Sequence, residues 1–267
     1  MRREKLAAIF LGAVTVLAIA AAAGAVDGTI EINQAKVMAN GGFPYAIGTA
    51  NTSYRLTGSL IAPAGTDAID VNVANVTIDL NGFSIVGPGS SNAAVTGINA
   101  SGMGEITVEN GTVTGFGTGV QLGSYGIVKN IHADVNGNGI HGGNNSVVEG
   151  CTANNSTTTG TSGFGIYCLA ACAISNNTAN GNPFAGIQCA GTGCAITGNT
   201  AIGNVGFGIE CLGTGCLISG NTIINNGTGI EAIDASTGYG LNVLSDGTNA
   251  KGGTSIGNNI CNPGGPC

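Results

Sequence analysis

Apolar residues recur along this chain on a fixed step, and the polar residues between them recur with them. The phrases AISNNTANGNPFAGIQC (173–189), AITGNTAIGNVGFGIEC (195–211) and LISGNTIINNGTGIEA (217–232) are copies of one pattern, with a looser copy, VVEGCTANNS...GFGIYC, ahead of them. Aligned, Val148, Ile174, Ile196 and Ile218 form one apolar column, and Ile166, Ile187, Ile209 and Ile230 form a second. Between the columns, Asn177, Asn199 and Asn221 recur at a step of 22, as do Asn182, Asn204 and Asn226. Upstream, Ile98, Val120 and Ile140 extend one column and Val108 and Val128 the other, on shorter steps.

A unit this short cannot bury its own apolar face, so each copy must stack on the next. Short strands stacked in this way form a coil of parallel strands, with the Ile and Val columns inside. Asn suits the bends, because it tolerates left-handed backbone angles and its amide can bond the Asn above and below. With strands roughly 4.8 Å apart, about seven or eight turns would make a rod on the order of 35 to 40 Å long. The coil is expected over residues 53–237, with strands at 53–60, 68–71 and 76–86 and turns at Asn81-Gly82 and Gly87-Pro88. An N-terminal cap is expected over 26–52, where an alternating stretch passes into a short helix-compatible run; it would cover the first open edge. After Ile233 the period fades, and 238–267 reads as an irregular C-terminal cap. The loop 156–162 (STTTGTS) lengthens one turn, and inserted loops on solenoids often frame a binding face.

Composition agrees with this picture. The 267 residues include 49 Gly, 43% hydrophobic residues, 8% charged residues and no Trp. Disordered chains carry more charge and lack periodic Ile and Val. Residues 1–25 read as a signal peptide: Arg2, Arg3 and Lys5, an apolar run over 6–23, and a small-residue site ending at Ala25. That places the mature protein in the periplasm or outside the cell. Lys36, Arg55, Lys129 and Lys251 are then its only strong bases against an excess of Asp and Glu. Nucleic acid and anionic membrane are therefore not expected partners.

Nine cysteines outside the cytoplasm point to disulfides. Six fall in CLAAC (Cys168, Cys172), CAGTGC (Cys189, Cys194) and CLGTGC (Cys211, Cys216). Pairing within each turn uses all six, whereas pairing along a column of three strands one thiol, although adjacent turns lie within bridging range. Local bridges are therefore expected, with Cys261 and Cys267 forming a fourth. Cys151 is left over as a buried, inert thiol in the corner column. No CxxC spacing suggests zinc, and neither a metal nor another cofactor is expected.

The phrases SYRLTGSL (53–60), VTIDLNGFSIVG (76–87) and the recurring GI..N resemble right-handed parallel β-helix proteins of the pectin-lyase-like superfold, especially secreted bacterial members. The likeness spans nearly all the chain after the leader. It implies an all-β, right-handed parallel β-helix, a fold that hosts lyases, hydrolases, epimerases, phage spikes and non-catalytic proteins. The motifs of its pectin-cleaving members are incomplete here. Of the hydrolase set only Gly139-Ile140-His141-Gly142 approaches a counterpart, and the sole Arg after the leader, Arg55, lies in the first strand rather than beside an acidic cluster.

Candidate chemistry sits on three outward rows. Asn99, Gln121, His141, Tyr167, Gln188, Glu210 and Glu231 each follow an inward residue of the second column. A straight row of polar and aromatic groups at the strand spacing suits an extended sugar chain. His141, Tyr167, Gln188, Glu210 and Glu231 are the expected ligand-binding residues. Both glutamates are expected to be solvated, and their spacing approaches that of the paired carboxylates of a retaining glycosidase. The second row, Glu109, Lys129 and Glu149 with His132 nearby, offers the base and charge partners that a polysaccharide lyase needs, or else a ladder of cross-strand charge pairs. Thr178, Thr200 and Thr222, with Ser175, Thr197 and Ser219 three residues earlier, form hydroxyl rows suited to ice or mineral. The expected function is a secreted, non-catalytic module that binds extracellular polysaccharide or serves a structural surface role. A lyase or hydrolase acting on an acidic polysaccharide is one alternative, and an ice- or mineral-binding surface the other.

Overall fold

A computed structural model describes residues 28–89, 94–158, 160 and 162–262. The expected leader and Cys267 lie outside them. Among the described residues strands pair only in parallel, each with its counterpart one turn away. They form a 13-stranded sheet, a ten-stranded sheet and a four-stranded third sheet that starts at Thr200–Ile202. Among the described residues no helix is long and apolar enough to cross a membrane.

The two apolar columns are the spine of this coil. Ile166, Ile187, Ile209 and Ile230 are in register on successive turns of the ten-stranded sheet and fully buried. Val148, Ile174, Ile196 and Ile218 do the same on the 13-stranded sheet. Each fully buried Ile or Val side chain stabilises the fold by roughly 1.5 to 3 kcal/mol relative to exposure.

The ten strands of the second sheet make a longer coil than the seven or eight turns expected. Regular pairing reaches into both segments expected as caps. Tyr45–Ile47 pairs with Ile69–Val71, and Ile30–Ile32 with Thr52–Leu56. At the other end, Gly238–Gly240, Val243–Ser245 and Thr248–Gly252 each add to the preceding turn. A strand ladder needs matched backbone and alternating burial, and it tolerates loss of the side-chain motif that made the repeat visible. The helix-compatible run is the six-residue helix Gln34–Ala39, started by Asn33, whose side chain accepts from the Lys36 N–H, with Val37 buried beneath it.

Asparagines stack at the bends. Asn177 Nδ2 donates to Asn199 Oδ1 at 3.0 Å, Asn199 to Asn221 at 3.1 Å, and Asn221 to Asn242 at 3.0 Å. A parallel ladder runs through Asn182, Asn204 and Asn226 and ends on Asp246 Oδ1. One detail differs from expectation. The left-handed backbone falls on the residue before the ladder, at Asn176, Gly198 and Gly220, rather than on Asn177, Asn199 and Asn221. Turning the chain one residue early leaves each ladder amide pointing inward, where it also donates to a carbonyl such as Val148 O or Ile174 O.

The same ladder explains the glycine before each inward Ile. A Cβ on Gly186 would stand 2.7 Å from Asn204 Nδ2 and 2.8 Å from Gly208 O, so a side chain there would displace the amide stack.

Candidate functional site

Register on the ten-stranded sheet brings the first outward row together as expected. Asn99 pairs with Gln121, Gln121 with His141, His141 with Tyr167, Tyr167 with Gln188, Gln188 with Glu210, and Glu210 with Glu231. The row is longer than the pattern indicated: Asp70 precedes Asn99 and Lys251 follows Glu231.

An aromatic cluster flanks the row at its middle. The His141 and Tyr167 rings meet edge to face with centroids 4.5 Å apart, and Phe164 lies 5.2 Å from Tyr167. Phe184 joins Phe164 at 5.2 Å and Phe207 at 5.5 Å, both edge to face. Asn138, His141, Phe164 and Tyr167 line a cleft of about 380 Å³. The chain on either side of the inserted loop is tied down beside it: Asn138 Oδ1 accepts from the N–H groups of Gly163 and Phe164, and Ser156 Oγ donates to Phe164 O. Phe164 and Phe207 stand in register through Ala185, a column visible in the GFGI phrases although the inward Ile beside it is the stronger signal.

Electrostatics along the row are uneven. Burial pushes the His141 pKa below its ordinary value, so the ring is neutral at pH 7. Gln188 and Glu210 are 4% and 5% exposed, which corrects the expectation that Glu210 is solvated. Each is stacked between in-register neighbours, and Gln188 Nε2 donates to Glu210 Oε2. Burial raises the Glu210 carboxyl pKa, the nearby Glu231 adds to the rise, and the bond from Gln188 opposes it. Glu231 is held instead by Lys251, with Oε1 and Nζ 2.6 Å apart. At the opposite end Asp70 is raised to about 6, first by burial and then by Asp67, which itself accepts from Thr96 N and Asn99 Nδ2.

On the 13-stranded sheet, Glu109, Lys129 and Glu149 share a column with Arg55 and Asp79. Arg55 pairs with the mostly covered Asp79 at 3.3 Å, and Lys129 with Glu149 at 3.6 Å, the latter pair half open to solvent. His132 stands apart from that column. The left-handed Asn130 turns the chain between it and Lys129, and its Nδ1 lies 3.0 Å from Thr152 Oγ1, which donates to Asp134. The hydroxyl rows are in register: Thr152, Thr178, Thr200 and Thr222 on one line, and Ser175, Thr197 and Ser219 on another.

Two expected bridges, Cys189–Cys194 and Cys211–Cys216, are formed on adjacent turns. Cys168 and Cys172 are a correction, because both are free, buried thiols. Only three residues separate them, against four in the bridged turns. The interaction of Cys168 with the Cys172 thiol, and burial, raise the Cys168 pKa well above the ordinary thiol value; the same interaction lowers that of Cys172, which burial opposes. Cys151 is free and buried, with its pKa pushed up to about 11 by burial. The sulfurs of Cys189, Cys194 and Cys216 lie within 4.8 Å of one another, but disulfide sulfurs offer a metal no thiolate. Cys261 is disulfide-bonded, and its expected partner, Cys267, is outside the described residues.

The model of a family described as "Right handed beta helix region" matches residues 45–195. No curated protein matches the chain. Among solved structures it is similar to the crystal structure of Dettilon tailspike protein (gp208), with a TM-score of 0.63 and 16% identity. That likeness covers 79% of this chain and 50% of the tailspike chain, so the present chain matches half the length of that relative.

Proposed function

The chain belongs to the right-handed β-helix family, and from that premise we propose that it is a secreted, non-catalytic module holding an extracellular polysaccharide along the outer face of its ten-stranded sheet. Membership of this family and the tailspike likeness fit a polysaccharide-binding or structural role. The observation that carries the binding reading is the part of that row from Asn99 to Tyr167 with its flanking rings: hydrogen-bonding groups at one per turn beside Phe164, Phe184 and Phe207. Aromatic rings offer apolar faces to the C–H faces of sugars, and Asn, Gln and His offer donors and acceptors to their hydroxyls. Formed disulfides are compatible with a location outside the cytoplasm.

A polysaccharide panel scored for both retention and cleavage tests this reading. Retention of the mature protein without release of new chain ends is expected, as is loss of retention in Tyr167→Ala. Release of unsaturated uronides, abolished by Lys129→Ala, would establish the lyase alternative on the Glu109, Lys129 and Glu149 column. The register of Thr152, Thr178, Thr200 and Thr222 favours a second reading, an ice- or mineral-binding face, which an ice recrystallisation assay addresses.

A further inference from the structure

The outward row of the ten-stranded sheet is divided by charge. Its middle, Asn99, Gln121, His141 and Tyr167 with the buried Gln188 after them, carries no ionised side chain at neutral pH. Asp70 bounds that segment on one side, and Glu210 and Glu231 bound it on the other. The cation at the far end, Lys251, is already held by Glu231. The aromatic cleft lies inside the uncharged segment, and its lining of Asn138, His141, Phe164 and Tyr167 includes no cation.

We propose that this segment takes an uncharged glycan, laid along the solenoid axis with one pyranose ring in the cleft between His141, Phe164 and Tyr167. This rests on the polysaccharide reading above and names its ligand class. A turn spacing of roughly 4.8 Å is comparable to the length of one sugar unit, so successive rings can meet successive turns. The Asn138 side-chain oxygen is committed to Gly163 and Phe164, which leaves its amide NH₂ as the group it offers a hydroxyl. The neutral imidazole of His141 offers one donor and one acceptor. A uronate or sulfate chain lying along these turns would meet the Asp70 carboxylate at one end, approach the buried Glu210 at the other and find no free cation between them, which discriminates against it.

Affinity electrophoresis of the full mature protein tests this in gels containing an unsubstituted β-glucan or galactomannan, polygalacturonate, or chitosan. Retention by a neutral gel is expected, changing less than about twofold between roughly 0.1 M and 1 M salt, because no ion pair is screened. Tyr167→Ala and Phe164→Ala should each weaken it about tenfold. Tyr167→Phe, which keeps the ring, should retain most of the binding, and circular dichroism checks that each variant is folded. Salt-sensitive, Tyr167-dependent preference for polygalacturonate or chitosan would overturn the uncharged class and leave the polysaccharide reading standing. Absence of retention in every gel would overturn both.

Discussion

The imidazole of His141 stands edge to face against the ring of Tyr167, its in-register partner one turn along, with centroids 4.5 Å apart and planes at 83°. Packed in this way and flanked on the preceding turn by the uncharged Gln121, the imidazole has no anionic in-register partner to favour its protonated form. Burial lowers its pKa from the ordinary value, so ligand retention should change little above neutral pH and should decline only on acidification below it. A profile of retention against pH checks this, and a loss of binding between pH 7 and 8 would contradict it.

Asp70 gives stability the opposite kind of dependence. Its pKa is raised from 3.8 to about 6 in the folded chain, so the native state binds more protons than the unfolded state within that window. Stability should be greatest below about pH 4 with respect to this group and fall as pH rises through about 6. Partial exposure screens the effect, which should be on the order of 1 kcal/mol. Denaturant midpoints measured from pH 4 to 7 should show the fall in the parent protein and a flatter profile in Asp70→Asn. Glu210→Gln should act in the same sense at its own turn, because Glu210 is also raised by burial.

Asn199 is a link in the longer amide ladder. It accepts from the backbone N–H and Nδ2 of Asn177 and donates to Ile174 O and Asn221 Oδ1. Truncation in Asn199→Ala leaves several of these buried groups unsatisfied and should cost about 3 kcal/mol, read as a lower urea midpoint. Asn199→Asp should be worse at neutral pH, because its charge would face the acceptor Asn221 Oδ1.

Gly186 should not accept even alanine. The added methyl would stand 2.7 Å from Asn204 Nδ2 and 2.9 Å from Ala179 O, so the ladder or the strand must shift. A loss of roughly 1 to 3 kcal/mol is expected for Gly186→Ala, against less than about 0.5 kcal/mol at an exposed position such as Val205.

Thiol chemistry separates the three cysteine turns. Alkylation of the unfolded, unreduced protein should label Cys151, Cys168 and Cys172 and spare Cys189, Cys194, Cys211 and Cys216. Labelling in the native state should be slow, since the three thiols are buried. Opening one short loop, as in Cys211→Ser with Cys216→Ser, should lower stability by about 2 kcal/mol in the chain-entropy model. Peptide mapping that finds Cys168 joined to Cys172 would restore the third local bridge.

The repeat by itself determines the coil and its register. A slip of one residue would turn Ile187, Ile209 and Ile230 into water, so their spacing alone decides which outward residues share a line. That is why the row from Asn99 to Glu231 was legible. Its ends, Asp70 and Lys251, lie where the side-chain motif weakens, and strand pairing there depends on the backbone of the neighbouring turn. Burial was not legible either. Whether an outward side chain meets water is set by what stands beside it on adjacent turns, as Gln188 and Glu210 shelter each other and Phe184 bridges Phe164 to Phe207. Periodicity determines which residues face the same way, and only the packed neighbours of each turn decide how deep, how charged and how accessible that face is.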